Sequence, residues 1–353
     1  QAARRARDKH LFRAFCSEHG LPSPGHAMID AGADPEESVK GLRFPMVIKP
    51  VYGSSSAYVV RVDDLDGLRE TVDYLRHNIS TDVESALSVS SAIMAEEYID
   101  GNEGDIDMLL QNGKIKFWSM SDNDATREPY FVETGQCIPT RLSRSQQMEL
   151  VSMAEEMLER LGIDNGCIHF EAKYGSRGPM PIEINLRMGG DEVYFFVKTA
   201  WGVDLVEQAA KIMLGQYVKR IRKTERPRKF VSGKYFLPRH SGVLAALSLP
   251  EKVKDAELQF FKTVGDAVLA PPLGYEYLGW TYAEADTLGE AEEKVSRIMA
   301  GVEIEIAKFS RGSSLGRTTR KSGMSAAHLS RRAVIGATGG IELGPTYEQR
   351  LVC

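Results

Sequence analysis

The sequence predicts an α+β (α/β) fold. Three observations carry that expectation: a pair of strands joined by a tight turn between residues 166 and 187, a short apolar strand that ends in Lys49, and several amphipathic segments with recognisable helix caps. Period-two runs interleaved with 3.6-period segments are the signature of mixed packing. A length of 353 residues implies two or three packed units.

Taken in order, Asp8 to His19 reads as a helix capped by Gly20 and stopped by Pro22. Phe44-Pro45-Met46-Val47-Ile48-Lys49-Pro50 is a strand that delivers a lysine to its end. Gly53, Ser54, Ser55, Ser56 and Ala57 follow as a small-residue loop rich in free backbone N–H groups. A helix begins near Asp63 or Asp64 and ends near His77, with Leu68, Val72 and Leu75 on one face. Ile93 to Glu97 is a strand reaching a turn at Gly101, and Asn112-Gly113 turns a hairpin. Ser143 and Gln146 form a capping box for a helix whose Met148, Val151, Met153, Met157, Leu158 and Leu161 supply core contacts. Gly166 to Lys173 and Glu183 to Arg187 are strands turned by Gly175-Ser176-Arg177-Gly178, and Val203 to Leu214 is a further helix. The basic run from Lys219 to Lys229 reads as a solvated linker. A β-rich unit with one helix around Leu288 to Met299 follows, and the Arg-rich stretch after Ser310 reads as disordered.

Composition excludes several functions. A net charge of −5 gives no electrostatic case for nucleic acid or a membrane surface. Cys16, Cys137, Cys167 and Cys353 are far apart, without metal or redox spacing, which favours free thiols in a reducing compartment. No apolar run is long enough for a membrane span, so a cytoplasmic location is expected.

The chemistry concentrates in Glu183-Ile184-Asn185-Leu186-Arg187. Alternation puts Glu183, Asn185 and Arg187 on one face over about 13 Å, with Ile184 and Leu186 toward a core. The hairpin brings Glu171 beside Glu183. Two carboxylates and an amide oxygen are hard ligands of the kind Mg²⁺ takes beside nucleotide phosphates. Alone, such a strand is more often a solvated face with an ion pair. Upstream, Lys49 and the Gly53–Ser56 loop supply a phosphate-binding arrangement, and the stretch Glu96-Glu97-Tyr98-Ile99-Asp100-Gly101-Asn102-Glu103 reaches a turn with acidic groups on both sides. The loop is not a P-loop, because Lys49 precedes its glycine.

In order and spacing these residues resemble the ATP-grasp superfamily of carboxylate–amine ligases, from about Arg7 to Gly215 and more weakly to Ile306. The resemblance implies two α+β subdomains clasping ATP (residues 1–88 and 89–218) and a small C-terminal β-rich subdomain (229–308), with 311–353 a basic tail. It implies that Lys9 and Lys49 contact ATP phosphates and that Gly53, Ser54, Ser55 and Ser56 form the flap over them. The backbone of Glu96, Glu97, Tyr98 and Ile99 would read adenine, and Glu103 would bind ribose. Glu171, Glu183 and Asn185 would hold Mg²⁺ (or Mn²⁺), and Arg187 would steady the transferred phosphoryl group or the substrate carboxylate.

Met188-Gly189-Gly190-Asp191-Glu192-Val193-Tyr194 is similar to the continuation in L-amino-acid (dipeptide) ligases, and Ser121 to Thr140 is similar to the corresponding stretch of carnosine synthases. Arg127, Glu133, Asp191, Glu192 and Trp201 are therefore candidates for substrate recognition. The implied reaction joins a small-molecule carboxylate, activated as an acyl phosphate, to an amine with release of ADP and phosphate. A carboxylase- or purine-pathway-type ligase is the alternative enzyme, and a non-catalytic ATP-binding regulatory module the alternative of another class. His169 reads as a satisfied structural histidine. ATP-grasp ligases carry a further domain before this region, so a missing N-terminal domain of the same gene product is expected. Homodimerisation stays open.

Overall fold

The computed structural model describes residues 2–81 and 83–310. The Arg-rich tail of 311–353 lies outside them, as does Cys353. Among the described residues the chain forms four antiparallel sheets and eight α-helices.

Two short helices open the chain, α1 (Ala2–Arg7) and α2 (Lys9–Glu18). Asp8 divides them: its side chain accepts from Leu11 N–H and caps α2, which begins at Lys9. The first sheet is built from β1 (His26–Ile29), β2 (Met46–Pro50), β3 (Val60–Val62) and β4 (Ile93–Glu97), in the order β1-β4-β2-β3. The short α3 (Pro35–Ser38) lies between β1 and β2, and α4 (Leu65–Asn78), capped by Asp64, packs Leu68, Val72 and Leu75 against Ile48 and Ala95.

The second sheet contains β5 (Asn102–Gln111), β6 (Lys114–Met120), β9 (Gly166–Gly175) and β10 (Gly178–Asn185), ordered β10-β9-β5-β6. β5 and β6 turn at Asn112 and Gly113, whose φ of 54° and 69° are those of a tight hairpin. One face, carrying Ile106, Met108, Phe170 and Ile184, packs on α2 and on α5 (Arg144–Leu161). Each such side chain contributes about 1.5–3 kcal/mol when fully buried. The capping box of Ser143 and Gln146 is present at the start of α5. The opposite face is divided along its length. Leu109, Phe117 and Cys167 are covered by α6 (Val193–Trp201) and α7 (Leu205–Met213), whereas Asp105, Asp107, His169 and Glu171 occupy the other end. That division leaves one polar patch in an otherwise buried sheet.

β7 (Asp122–Asn123), β8 (Gly135–Ile138), β11 (Phe230–Phe236), β13 (Ala256–Phe260) and β15 (Gly279–Ala285) form the third sheet, ordered β13-β15-β11-β8-β7. Pairing of Val231 with Ile138 joins the C-terminal strands to the residues before α5. The fourth sheet, β14-β12-β16, uses β12 (Gly242–Ser248), β14 (Ala267–Val268) and β16 (Glu303–Ala307), and α8 (Leu288–Gly301) packs on β11 and β15.

Two expectations about the core are corrected. Met148 is 43% exposed, because it falls on the solvent stripe of α5 while Leu150, Val151 and Ala154 face inward. Leu186 is 41% exposed, because β10 ends at Asn185 and the alternation stops with it. The helix expected from Val203 begins at Leu205, and α6 before it has no counterpart in the sequence reading. Cys16, Cys137 and Cys167 are free and buried, and burial pushes the Cys167 thiol up to about 12. No helix among the described residues is long and apolar enough to cross a membrane.

Candidate active site

The polar end of the second sheet faces the first sheet across a cleft. Register places Asp105 opposite Glu171, and Glu171 opposite Glu183, so three carboxyl groups lie in a row across β5, β9 and β10. The next row is Asp107, His169 and Asn185. A register shift between Pro181 and Glu183 brings Glu183 opposite Glu171. Asn185 Nδ2 donates to Glu171 Oε1 at 3.0 Å, which leaves its amide oxygen for another partner.

Like charges at this spacing are costly. Desolvation, then Glu183 and Asp105, push the Glu171 carboxyl above the usual carboxylate range, and burial raises Asp105 as well. His169 answers part of the charge. Its Nδ1 lies 3.0 Å from Asp107 Oδ1, and its Nε2 lies 3.8 Å from Asp105 and 3.9 Å from Glu171. Burial opposes its protonation, yet the surrounding carboxylates raise it to about 10. Its ring rests on Gly189, where a Cβ would come within 2.8 Å of Nδ1. Gly189 N–H donates to Asp107 at 3.1 Å, so this glycine permits the close approach.

The donor set fits a divalent cation. Asp105 Oδ1 is a buried carboxylate oxygen without a hydrogen-bond partner, and Glu171, Glu183 and the Asn185 amide converge beside it. No group of three His, Cys, Asp or Glu side chains already arranged to grip an ion is found among the described residues. Instead Lys9 Nζ lies 3.0 Å from Glu183 and donates to the Gly53 carbonyl at 3.0 Å.

The facing wall carries the cations. Lys49 is buried, with its Nζ 2.7 Å from Glu96 Oε2, and Arg13 Nε reaches the other oxygen of Glu96 at 2.8 Å. Burial favours the neutral carboxyl of Glu96, but Arg13 and Lys49 overcome it and hold the group at about 2. Desolvation pulls Lys49 downward against the attraction of Glu96. The loop above is fastened: Glu84 Oε2 accepts from Ser54 N–H at 2.9 Å and from Ser54 Oγ at 2.6 Å. Ser55, Ser56 and Tyr58 have φ of 49°, 52° and 65°, left-handed values that non-glycine residues adopt rarely. Glu84→Ala is therefore expected to release the loop. Amide hydrogen exchange at Ser54 to Ala57 should accelerate by about tenfold or more.

At the open end, Glu97, Tyr98 and Ile99 line the cleft with Glu103. Glu97 turns its carboxylate to Arg43 at 3.0 Å, and Lys173 Nζ lies 3.6 Å from Glu103 and 5.2 Å from the centre of the Tyr98 ring. Arg187 lines the opposite end with Gly190 and Asp191. Asp191 and Glu192 have φ of 48° and 66°, and the Asp191 carbonyl accepts from Gln136 Nε2 at 2.9 Å. A smaller cavity of about 150 Å³ adjoins through Asp191, walled by Tyr235, Tyr277, Trp280 and Phe196. Glu133 lines the larger cleft, and desolvation followed by the charge of Asp191 raises its carboxyl well above the usual range.

Three of the substrate candidates lie outside the cleft. Arg127 is exposed on its loop, and Phe131 and Glu133 form the wall from that stretch. Trp201 is carried away by α6 and donates from Nε1 to Ser119 Oγ at 3.0 Å. Glu192 faces the smaller cavity only. The other candidates, from Lys9 to Asp191, line one cleft. Sequence reasoning passed over Arg13, Asp105, Asp107, Lys173 and Glu84. Three of these had a visible signal: Arg13 stands four residues after Lys9 on one helix face, and Asp105 and Asp107 continue the alternation begun at Glu103.

A cleft between two antiparallel sheets, with Lys9 beside the carboxylates of one wall and Lys49 on the facing wall, is an arrangement suited to multiply charged phosphates and a divalent ion. Residues 42–194 match the model of the ATP-grasp domain. Over 225 residues it is 30% identical to carnosine synthase 1 from Homo sapiens, an alignment covering 61% of this chain and 27% of that protein. Alanine–anticapsin ligase from Bacillus subtilis (strain 168) is 26% identical over 224 residues, covering 59% and 46%. The chain thus spans about a quarter to a half of the length of these relatives. The crystal structure of L-amino acid ligase from Bacillus licheniformis superposes with a TM-score of 0.69 at 22% identity, over 87% of this chain and 73% of that one.

Proposed function

We propose that the chain carries the ATP-using part of an ADP-forming carbon–nitrogen ligase that joins two amino acids. The observation that supports this best is that Glu171 and Glu183, in register with the buried Asp105, line one cleft with Lys9, Lys49 and Arg187. The family uses ATP with divalent metal, and the named relatives act on amino acids. Residues 1–88 and 89–218 are assigned to the two halves that close on ATP, and 229–308 to a unit that walls the acceptor side.

In this proposal a carboxylate oxygen of the first amino acid attacks the γ-phosphorus, and the bond to the β-phosphate oxygen breaks to give ADP and an acyl phosphate. Repulsion between the anions is the barrier, so catalysis is electrostatic and positional. Glu171, Glu183 and the Asn185 oxygen would hold Mg²⁺, which would supply positive charge against the phosphates. Lys9 would leave Glu183 to meet the phosphates, and Lys49, anchored by Glu96, would do so from the other wall. Arg187 presents a planar fork to the transferred group or the carboxylate. The adenine edge would meet the backbone of Glu97 to Ile99, with Glu103 at ribose. The Gly53–Ser56 loop excludes water, which would otherwise hydrolyse the acyl phosphate.

The second amino acid then attacks the acyl carbon through its amine, and phosphate leaves. Glu133 and Asp191 are suited to bind its ammonium group and to take the proton it gives up before attack: burial raises both carboxyls, and Asp191 also opens onto an aromatic-walled cavity that would take the side chain. Glu133→Gln is accordingly expected to raise KM for the amine substrate by roughly tenfold, with KM for ATP nearly unchanged. The acyl phosphate itself is tested with a substrate carboxylate labelled with heavy oxygen. One labelled oxygen should appear in the released phosphate. Phosphate without label would remove this mechanism.

A further inference from the structure

The basic segment 219–229 is mostly exposed, as the solvated linker its composition suggested, but it is tied down at two points. It walls a second cavity of about 850 Å³ that shares no lining residue with the nucleotide cleft. Its fastenings are specific. Ile221 N–H donates to the Lys116 carbonyl at 2.8 Å, which covers the edge strand β6, and Arg228 N–H donates to the Ala200 carbonyl at 2.7 Å at the end of α6. Between these points the chain arches over Trp118, Trp201 and the first turn of α5.

Six cations line this space: Lys116, Arg144, Arg220, Arg222, Lys223 and Arg226. Glu225 is the one acidic lining residue, and among the described residues none of the six has a carboxylate within ion-pair distance. In a chain of net charge −5 that concentration of unpaired positive charge is the opposite of the average surface. Concave, low-dielectric walls focus such a field. Lys223 Nζ stands 3.1 Å from the centre of the Trp118 ring and 5.0 Å from that of Trp201, and the Arg144 guanidinium lies 5.4 Å from the Trp118 ring centre. Burial, reinforced by Arg144, pulls the Lys223 ammonium down to about 7. Residues 144 and 147 belong to the first turn of the 18-residue α5, whose N-terminal dipole adds to the same potential.

We propose that this cavity binds a multiply charged small anion of the phosphate class, gripped by Arg144, Lys223 and the arginines of the segment. Guanidinium forks match phosphate oxygens two at a time, and a singly charged carboxylate would leave most of the six cations uncompensated. The phosphate group can come from an inorganic polyphosphate or from a nucleotide, and the test separates the two.

The nucleotide cleft is first saturated with a non-hydrolysable ATP analogue and Mg²⁺. Inorganic pyrophosphate, and in a parallel arm ADP, is then titrated while tryptophan fluorescence and binding heat are followed. Saturable binding with a fluorescence change is expected in the filled enzyme. Binding of ADP more tightly than pyrophosphate identifies a nucleotide as the source, and equal binding identifies the phosphate group alone. Arg144→Gln and Lys223→Gln should each weaken binding by roughly tenfold. Arg222→Gln, exposed and unable to disturb the core, should weaken it in the same direction, whereas Lys252→Gln, outside the cavity, should not. Absence of saturable binding once the cleft is filled, or wild-type affinity in all three cavity variants, overturns the proposal.

Discussion

Glu183→Gln is expected to lower ADP formation by at least roughly a hundredfold while leaving the fold intact. The substitution keeps the shape of the side chain and removes one of the charges in the row formed with Asp105 and Glu171. Activity should fall because a neutral amide is a poor ligand for a hard cation beside phosphates. Stability should be nearly unaffected for a reason particular to this site. The ion pair with Lys9 at 3.0 Å is lost, but so is the repulsion that Glu183 exerts on the desolvated Glu171. A coupled ADP assay reads the first effect and thermal unfolding the second. Turnover near the wild-type level at ordinary Mg²⁺ would remove Glu183 from the metal site.

Glu96→Ala is expected to have the largest effect on stability. One carboxylate, 3% exposed, sits between Lys49 and Arg13, both buried. Its removal leaves two cations in the interior without a counter-charge, which costs about 3–5 kcal/mol. The unfolding midpoint should drop by about 10 °C. Retention of the wild-type midpoint would show that the pair carries little of the fold. The acid limb of stability follows from the same contact. Glu96 is held at about 2 against an ordinary 4.5, so the folded state binds the proton less readily than the unfolded chain. Its contribution is complete above about pH 4.5 and is lost as pH falls through about 2. In Glu96→Ala that part of the acid slope should be missing.

The strand pair that carries the carboxylates was legible because alternation and a glycine-bounded turn determine register together. Once Glu171 and Glu183 pair, every neighbouring side chain on that face is placed. The third member of the row, Asp105, was equally visible in the alternation from Glu103, but its meaning depends on β5 lying beside β9, a long-range pairing that local pattern does not specify. Arg13 shows the same limit. Helical spacing puts it on the face of Lys9, yet its partner Glu96 is 83 residues away. Trp201 was misplaced for the converse reason. It is close to Arg187 in sequence, but α6 intervenes and carries it roughly 12 Å along its axis. The segment 219–229 is as exposed as its charge composition suggested, but composition says nothing of where its ends are tied.

The central question for this protein is whether ATP is spent to join two amino acids. The direct measurement is ADP release and product mass in mixtures of amino acids, β-alanine and histidine among them, each also supplied alone and with bicarbonate. The account predicts rapid ADP release only when both a carboxylate donor and an amine acceptor are present, with one dipeptide formed per ADP. ADP release that depends on bicarbonate, with no amide product, would contradict it.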